Sequence, residues 1–223
     1  MAINAAEEET IESLKKWWEE NGKQLVLAVI ILLTGYSSWL FWTGNQSAAA
    51  ESASDMYEQI LALAMTEPGV PLSEEERSNI IEISDQLITD HSSSIYAQYG
   101  ALFAAQQHVS ANDLAAAETS LQWILDNPRS GFFTKDDAGL MLAASLRFGR
   151  VLLAQDDAER ALSVVNNLDP KGYEAGFAEL RGDIYAAMDR PLDARDSYVA
   201  AQQAGSNSDS LRMKLDELPD EVQ

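Results

Sequence analysis

The chain has 223 residues, a net charge of −21, two histidines and no cysteine. The length allows one or two domains, and the missing thiols exclude a disulfide framework, a zinc-thiolate site and a thiol nucleophile. The acidic balance argues against a basic face for nucleic acid or anionic lipid headgroups.

Residues 1–24 carry the first local pattern. Asn4 followed by Glu7 has the spacing of a helix-capping pair. Ile11, Leu14, Trp17 and Trp18 share one helical face, and Asn21-Gly22 reads as a helix stop. A short amphipathic helix at a membrane interface fits this pattern. A simple extension of the following helix fits it equally.

Residues 25–42 hold no charged side chain, and ten of them are Leu, Ile, Val or Phe. At a rise of 1.5 Å per residue such a helix spans about 27 Å, close to the hydrocarbon thickness of a bilayer. Trp17, Trp18, Tyr36, Trp39 and Trp42 flank the run as interfacial aromatics do. A buried core helix would show a polar face, and this one shows none. Ala48-Ala49-Ala50 could end a cleavable signal, but the run is long and its leading segment is acidic rather than short and basic. The run therefore reads as a retained transmembrane helix. Lys15, Lys16 and Lys23 precede it and no Lys or Arg follows until Arg77, so the N-terminus is expected in the cytoplasm and residues 43–223 in the periplasm of a bacterium. Gly35, Ser37 and Ser38 are small enough for close helix approach, and Gly35, Ser38 and Trp42 form a candidate transmembrane partner face.

Residues 43–54 are small and polar, expected to begin a helix or to serve as a short linker. Helices are then expected near 48–66, 73–90, 95–110, 113–127, 137–154, 157–168, 172–188, 191–204 and 208–217, with breaks marked by Pro68-Gly69, Asn127-Pro128, Asp169-Pro170 and Gly205. No alternating strand pattern occurs, so the expected class is all-α, built of helix pairs.

The pairs repeat. Gly149 and Gly182, Leu152 and Tyr185, Ala161 and Ala194, and Val165 and Tyr198 each lie 33 residues apart. The small residue and the Ala twelve later let two helices cross closely. The larger residue four positions on is expected to fill the gap to the next pair. Ala105, His108, Ala117 and Leu121 give a third copy 44 residues earlier, with PRSGFFTKDDA as an insert. This pattern resembles the tetratricopeptide repeat, lacking its usual Trp and final Pro, and implies a single transmembrane helix followed by a helix-pair solenoid. The competing reading is a generic Ala-rich bundle.

No catalytic constellation stands out, and no cofactor is expected. His91 and His108 lack metal-ligand spacing. Glu74, Glu75 and Glu76, like Asp136-Asp137, sit near helix starts, where acidic groups complement the helix dipole. Binding is left, and solenoids use the first helix of each pair to line a groove. That face maps to Tyr99, Leu102, Phe103, Gln106, Leu146, Arg147, Arg150 and Asp183. Its mostly apolar character suits extended polypeptide, although many of these residues are equally placed for the core. A tight cation cluster able to clamp a terminal carboxylate is not evident. Gly131 and Phe132-Phe133 in the insert could touch a client or tuck onto the core.

The stretch ETIESLKKWWEENGKQL, the apolar run ending WLFW, and SAAAESASDMYEQIL together resemble the YfgM family, ancillary subunits of the bacterial SecYEG translocon. The likeness is sharpest over the first sixty residues and loosest at PGVPLSEEERSN and DELPDEVQ. It implies a non-enzymatic inner-membrane protein beside the translocon, with the membrane-anchored chaperone PpiD and translocating polypeptides as partners. A cell-envelope scaffold for division or outer-membrane assembly is the alternative.

Overall fold

The computed structural model describes residues 2–65, 71–129 and 137–219, with residues 2–9, Trp42 and Asn45 described by backbone alone. Among the described residues every regular element is an α-helix: α1 (Ala2–Ala64), α2 (Glu74–Asp90), α3 (Ile95–Ser110), α4 (Leu114–Asp126), α5 (Ala138–Ala154), α6 (Ala158–Asn166), α7 (Glu174–Ala187), α8 (Pro191–Gln203) and α9 (Asp209–Asp216). The chain divides into two compact units, Met1–Ser52 and Ala53–Gln223.

In the first unit α1 runs without a break. It starts ahead of Asn4, so Asn4 does not stand at the helix start. It also passes through Asn21-Gly22, which corrects the expected stop. The Asn21 amide donates to the Trp17 carbonyl within the helix, and the Trp18 indole covers the bare Gly22 backbone. One interior glycine costs only about 1 kcal/mol relative to alanine, less than opening a new pair of helix ends inside two helix-forming flanks. Residues 43–54 are helical too and do not form a loop. The apolar stretch has a mean hydropathy of 2.0 and is wholly unburied. Two threonine hydroxyls in and next to it turn inward: Thr34 Oγ1 donates to the Ile30 carbonyl and Thr43 Oγ1 to the Trp39 carbonyl. Bonds of this kind satisfy a hydroxyl within its own helix in hydrocarbon. The helix is long and apolar enough to cross a membrane.

The second unit begins with the end of α1. Several helix starts are capped by the short polar residue in front of them. Ser73 and Glu76 form a reciprocal capping box at α2. Asp113, Asp157 and Ser208 accept from backbone N–H groups of α4, α6 and α9, satisfying donors that a helix start leaves open. The glutamates of the α2 first turn also face the positive end of the helix dipole.

The repeat is visible in the turns. Asn112, Asp156 and Asp189 carry positive φ angles of 60°, 63° and 57°, spaced by the same 44 and 33 residues as the repeat positions. Each is followed by a residue whose N–H donates five residues back, to the His108, Leu152 and Tyr185 carbonyls. That is the Schellman closure of a helix end. Asn and Asp tolerate the left-handed region better than other non-glycine residues. The turns joining α3 to α4, α5 to α6 and α7 to α8 therefore share one geometry.

The small residues do what the pattern implies, with one correction. Ala105, Ala117, Ala161 and Ala194 are buried. A Cβ on Gly149 would lie 2.8 Å from Leu180 of the next pair. On Gly182 it would collide with the ring of Tyr198, from the same pair. Tyr198 therefore fills the crossing within its own pair and does not only face the next one.

Three apolar clusters follow the chain. One joins the end of α1 to α2 and α3 through Ala53, Ile60, Ile80, Leu87 and Ala97. The largest runs from α3 to α7 and includes Leu121, Phe148, Leu152, Phe177 and Leu180. The last seats α9 on α7 and α8 through Ala178, Tyr198 and Leu211. Lys214 of α9 reinforces it with ion pairs to Glu179 at 3.0 Å and Asp183 at 2.7 Å. Burial opposes the Lys214 charge, but its hydrogen bonds to Asp183 and Glu179 outweigh that and leave its pKa raised. Burial, then the hydrogen bond to Asp183, also raises Tyr198. Both groups hold protons more tightly when folded, so their contribution is complete below the ordinary Lys and Tyr range and is lost as pH rises through the raised values. Amide exchange in α9 is expected to accelerate above about pH 10, and already at neutral pH in Lys214→Ala, with α3–α5 unchanged. Equal protection of α9 in the variant and the parent would contradict this.

Candidate functional site

One opening in the second unit is a cavity of about 420 Å³. Its walls come from α3 (Ala105, Gln106, Val109, Ser110), α4 (Leu114, Leu121) and α5 (Arg147, Arg150, Val151, Ala154). Helices α3 and α5 are the first helices of successive pairs, the helices that line the groove in solenoids, and α4 between them supplies the remaining wall. Ala105, Leu121 and Val151 are buried and make an apolar floor. Gln106, Arg147 and Arg150 are exposed at its edge. Beneath it, the Gln155 amide donates to the Leu114 carbonyl at 2.8 Å and ties α5 to the start of α4. Arg160 of α6 pairs with Glu118 of α4.

Of the groove residues expected from sequence, the structure brings Gln106, Arg147 and Arg150 to this cavity. Leu102 and Leu146 are half-buried against the main core, and Leu146 lies over Gly176, 3.0 Å from where its Cβ would be. Tyr99 and Phe103 join a separate aromatic patch with Tyr57 and Tyr96, at ring separations from Tyr57 of 5.7, 6.2 and 5.4 Å respectively. Burial and the neighbouring phenols of Tyr99 and Tyr96 raise the Tyr57 pKa. Asp183 sits elsewhere again, accepting from the Tyr198 hydroxyl at 2.7 Å and pairing with Lys214. On α1, Gly35 and Ser38 are exposed, and nothing lies within 4 Å of a Cβ placed on Gly35. The Trp42 side chain lies outside the described residues, as do Gly131, Phe132 and Phe133 of the insert. Among the described residues no cluster of three or more His, Asp or Glu side chains is arranged to hold a metal; His91 caps the end of α2 and His108 lies in the last turn of α3.

Sequence reasoning missed Val109, Leu114, Val151 and Ala154 as walls of the cavity. Val109 and Ala154 follow Ala105 and Arg150 by one helical turn, so the i, i+4 spacing on the same face was the available signal.

Helix pairs joined by turns of one recurring geometry, with a cavity on the face of the first helices, define a helix-pair solenoid. The profile of the tetratricopeptide repeat-like domain matches residues 15–220, and the chain belongs to that family. Among curated proteins it is similar to the ancillary SecYEG translocon subunit of Haemophilus influenzae, at 29% identity over 98% of this chain and 100% of that one. The proteins of the same name from Escherichia coli and Neisseria gonorrhoeae are each 27% identical over 98% of this chain and 99% and 100% of their own. No solved structure matches the chain.

Proposed function

We propose that this chain is a single-span inner-membrane protein of the bacterial Sec translocon, acting as an ancillary subunit that binds polypeptide on the far side of the membrane. The observation that carries this reading is the end-to-end similarity to translocon subunits, spanning apolar helix and repeats alike. Residues 1–24 lie in the cytoplasm, residues 25–42 cross the bilayer, and residues 43–223 form the periplasmic domain. The cluster of Lys15, Lys16 and Lys23 ahead of the span supports that orientation. Gly35, Ser38 and Trp42 face a membrane partner. The first-helix face, with Tyr99, Leu102, Phe103, Gln106, Leu146, Arg147, Arg150 and Asp183, receives a PpiD-type chaperone or an emerging exported chain. Up to Trp42 the chain has six acidic and three basic residues, which leaves 30 acidic and 12 basic beyond it, a net charge of −18. Such a domain is repelled from anionic headgroups and keeps its groove clear of the membrane.

The cysteine-free background makes the topology easy to test. Ser13→Cys should react with a membrane-impermeant maleimide only after lysis, and Ser92→Cys in intact spheroplasts. Purification of the intact chain in mild detergent should bring translocon subunits with it. Reversed labelling would overturn the orientation. Recovery of only division or outer-membrane assembly proteins would favour the scaffold reading instead.

A further inference from the structure

Two of the arginines that form no ion pair among the described residues stand side by side at the cavity. Arg129, Arg160, Arg190, Arg212 and Lys214 each lie in an ion pair. Arg147 and Arg150 have no carboxylate partner among the described residues; the Arg147 guanidinium donates to the Ala143 carbonyl of its own helix. In a domain so rich in carboxylates, two exposed arginines beside one cavity could readily have been paired. They stand three residues apart on α5, on the same face and staggered by about 4.5 Å along the helix axis. The floor below them is apolar. Guanidinium groups over an apolar floor match a ligand with a carboxylate next to an aliphatic group.

We infer that the cavity selects polypeptide segments in which an acidic side chain lies close to a large apolar one. The apolar side chain enters the space above Ala105, Leu121 and Val151, and the carboxylate meets Arg147 or Arg150. The inference rests on the polypeptide-binding reading and adds a sequence preference to it. The arginines are spread along one helix edge and do not converge on a point. That arrangement suits a side-chain carboxylate on a segment running through the groove better than a chain terminus. The acidic surface elsewhere repels carboxylate-rich chains at long range, so these two arginines set the register of a segment already held by its apolar residues.

Short leucine-containing peptides, amidated at the C-terminus and differing only in Glu, Gln or Lys beside the leucines, would test this by fluorescence anisotropy with the full chain in nanodiscs. A fourth peptide carries Gln there and a free C-terminal carboxylate. The Glu peptide should bind about ten-fold more tightly than the Gln peptide, the scale of a charge-assisted contact at a partly shielded rim, and the Lys peptide more weakly still. Raising the salt should weaken the Glu peptide most. Arg147→Gln/Arg150→Gln should level the three, and Arg147→Glu/Arg150→Glu should reverse their order. Both arginines are exposed, and unchanged circular dichroism would exclude misfolding. Equal binding of all three peptides, or an unchanged order in the charge-reversed variant, overturns the selectivity while leaving polypeptide binding intact. Preference for the free terminus alone overturns it in favour of a terminal-carboxylate site. Binding of no peptide at all removes the polypeptide-binding reading itself.

Discussion

Replacing Leu32 and Leu33 together by arginine is expected to release the chain from the membrane. Both residues lie near the middle of the apolar run, and both are exposed on α1. The ten large apolar residues of the run favour insertion by about 3–6 kcal/mol. Each leucine-to-arginine change near the bilayer centre costs about 3–4 kcal/mol. The pair therefore reverses the sign of insertion rather than trimming it. After carbonate extraction the variant should move from the membrane pellet to the supernatant. A single Leu32→Arg change should give a mixture. The second unit has its own core from Ala53 onward, so the released chain should keep its helical signal and melt cooperatively. Retention of the double variant in the pellet at the parental level would mean that the run is not what holds the chain to the membrane.

Phe177→Ala is expected to have the second large effect, and on the second unit. Phe177 is 1% exposed and belongs to the largest apolar cluster. Truncation there loses the transfer free energy of the ring and leaves a cavity, together about 3–5 kcal/mol. Whole domains are stable by only about 5–15 kcal/mol. For a domain of this size that corresponds to a fall in Tm of roughly 6–20 °C. Membrane attachment should not change, because Phe177 packs within the cluster of α3 to α7 and the apolar run belongs to the other unit. Denaturant unfolding of the detergent-solubilised chain measures the loss. A change below about 1 kcal/mol would show that α7 is not part of the main core.

The two variants separate what the sequence shows readily from what it hides. The transmembrane stretch is legible because eighteen uncharged residues leave few alternatives. The helix pairs are legible because Gly149, Gly182, Ala161 and Ala194 recur where only small side chains fit. The turn residues Asn112, Asp156 and Asp189 carry the same spacing, and their left-handed backbone explains why Asn or Asp stands there. Asn21-Gly22 misleads for a physical reason: a local stop signal of about 1 kcal/mol loses to continuous helix on both sides. The site is only partly legible. Arg147 and Arg150 follow from helix register, but the walls supplied by Leu114 and Leu121 depend on how α4 packs between α3 and α5. The separation of the Tyr99 and Phe103 patch from the cavity depends on Tyr57, which reaches it from α1 across a long sequence gap. The role of Asp183 is set by Lys214 and Tyr198, residues that no spacing on α7 reveals.

In-cell photo-crosslinking from Gln106 at the cavity edge, with Ser38 in the apolar helix as a second position, tests the central claim most directly. Ser38 is expected to capture translocon subunits or a PpiD-type chaperone, and Gln106 exported chains or that chaperone, the exported chains disappearing when export is blocked. Capture from both positions of division or outer-membrane assembly proteins only, unaffected by the block, would contradict that claim.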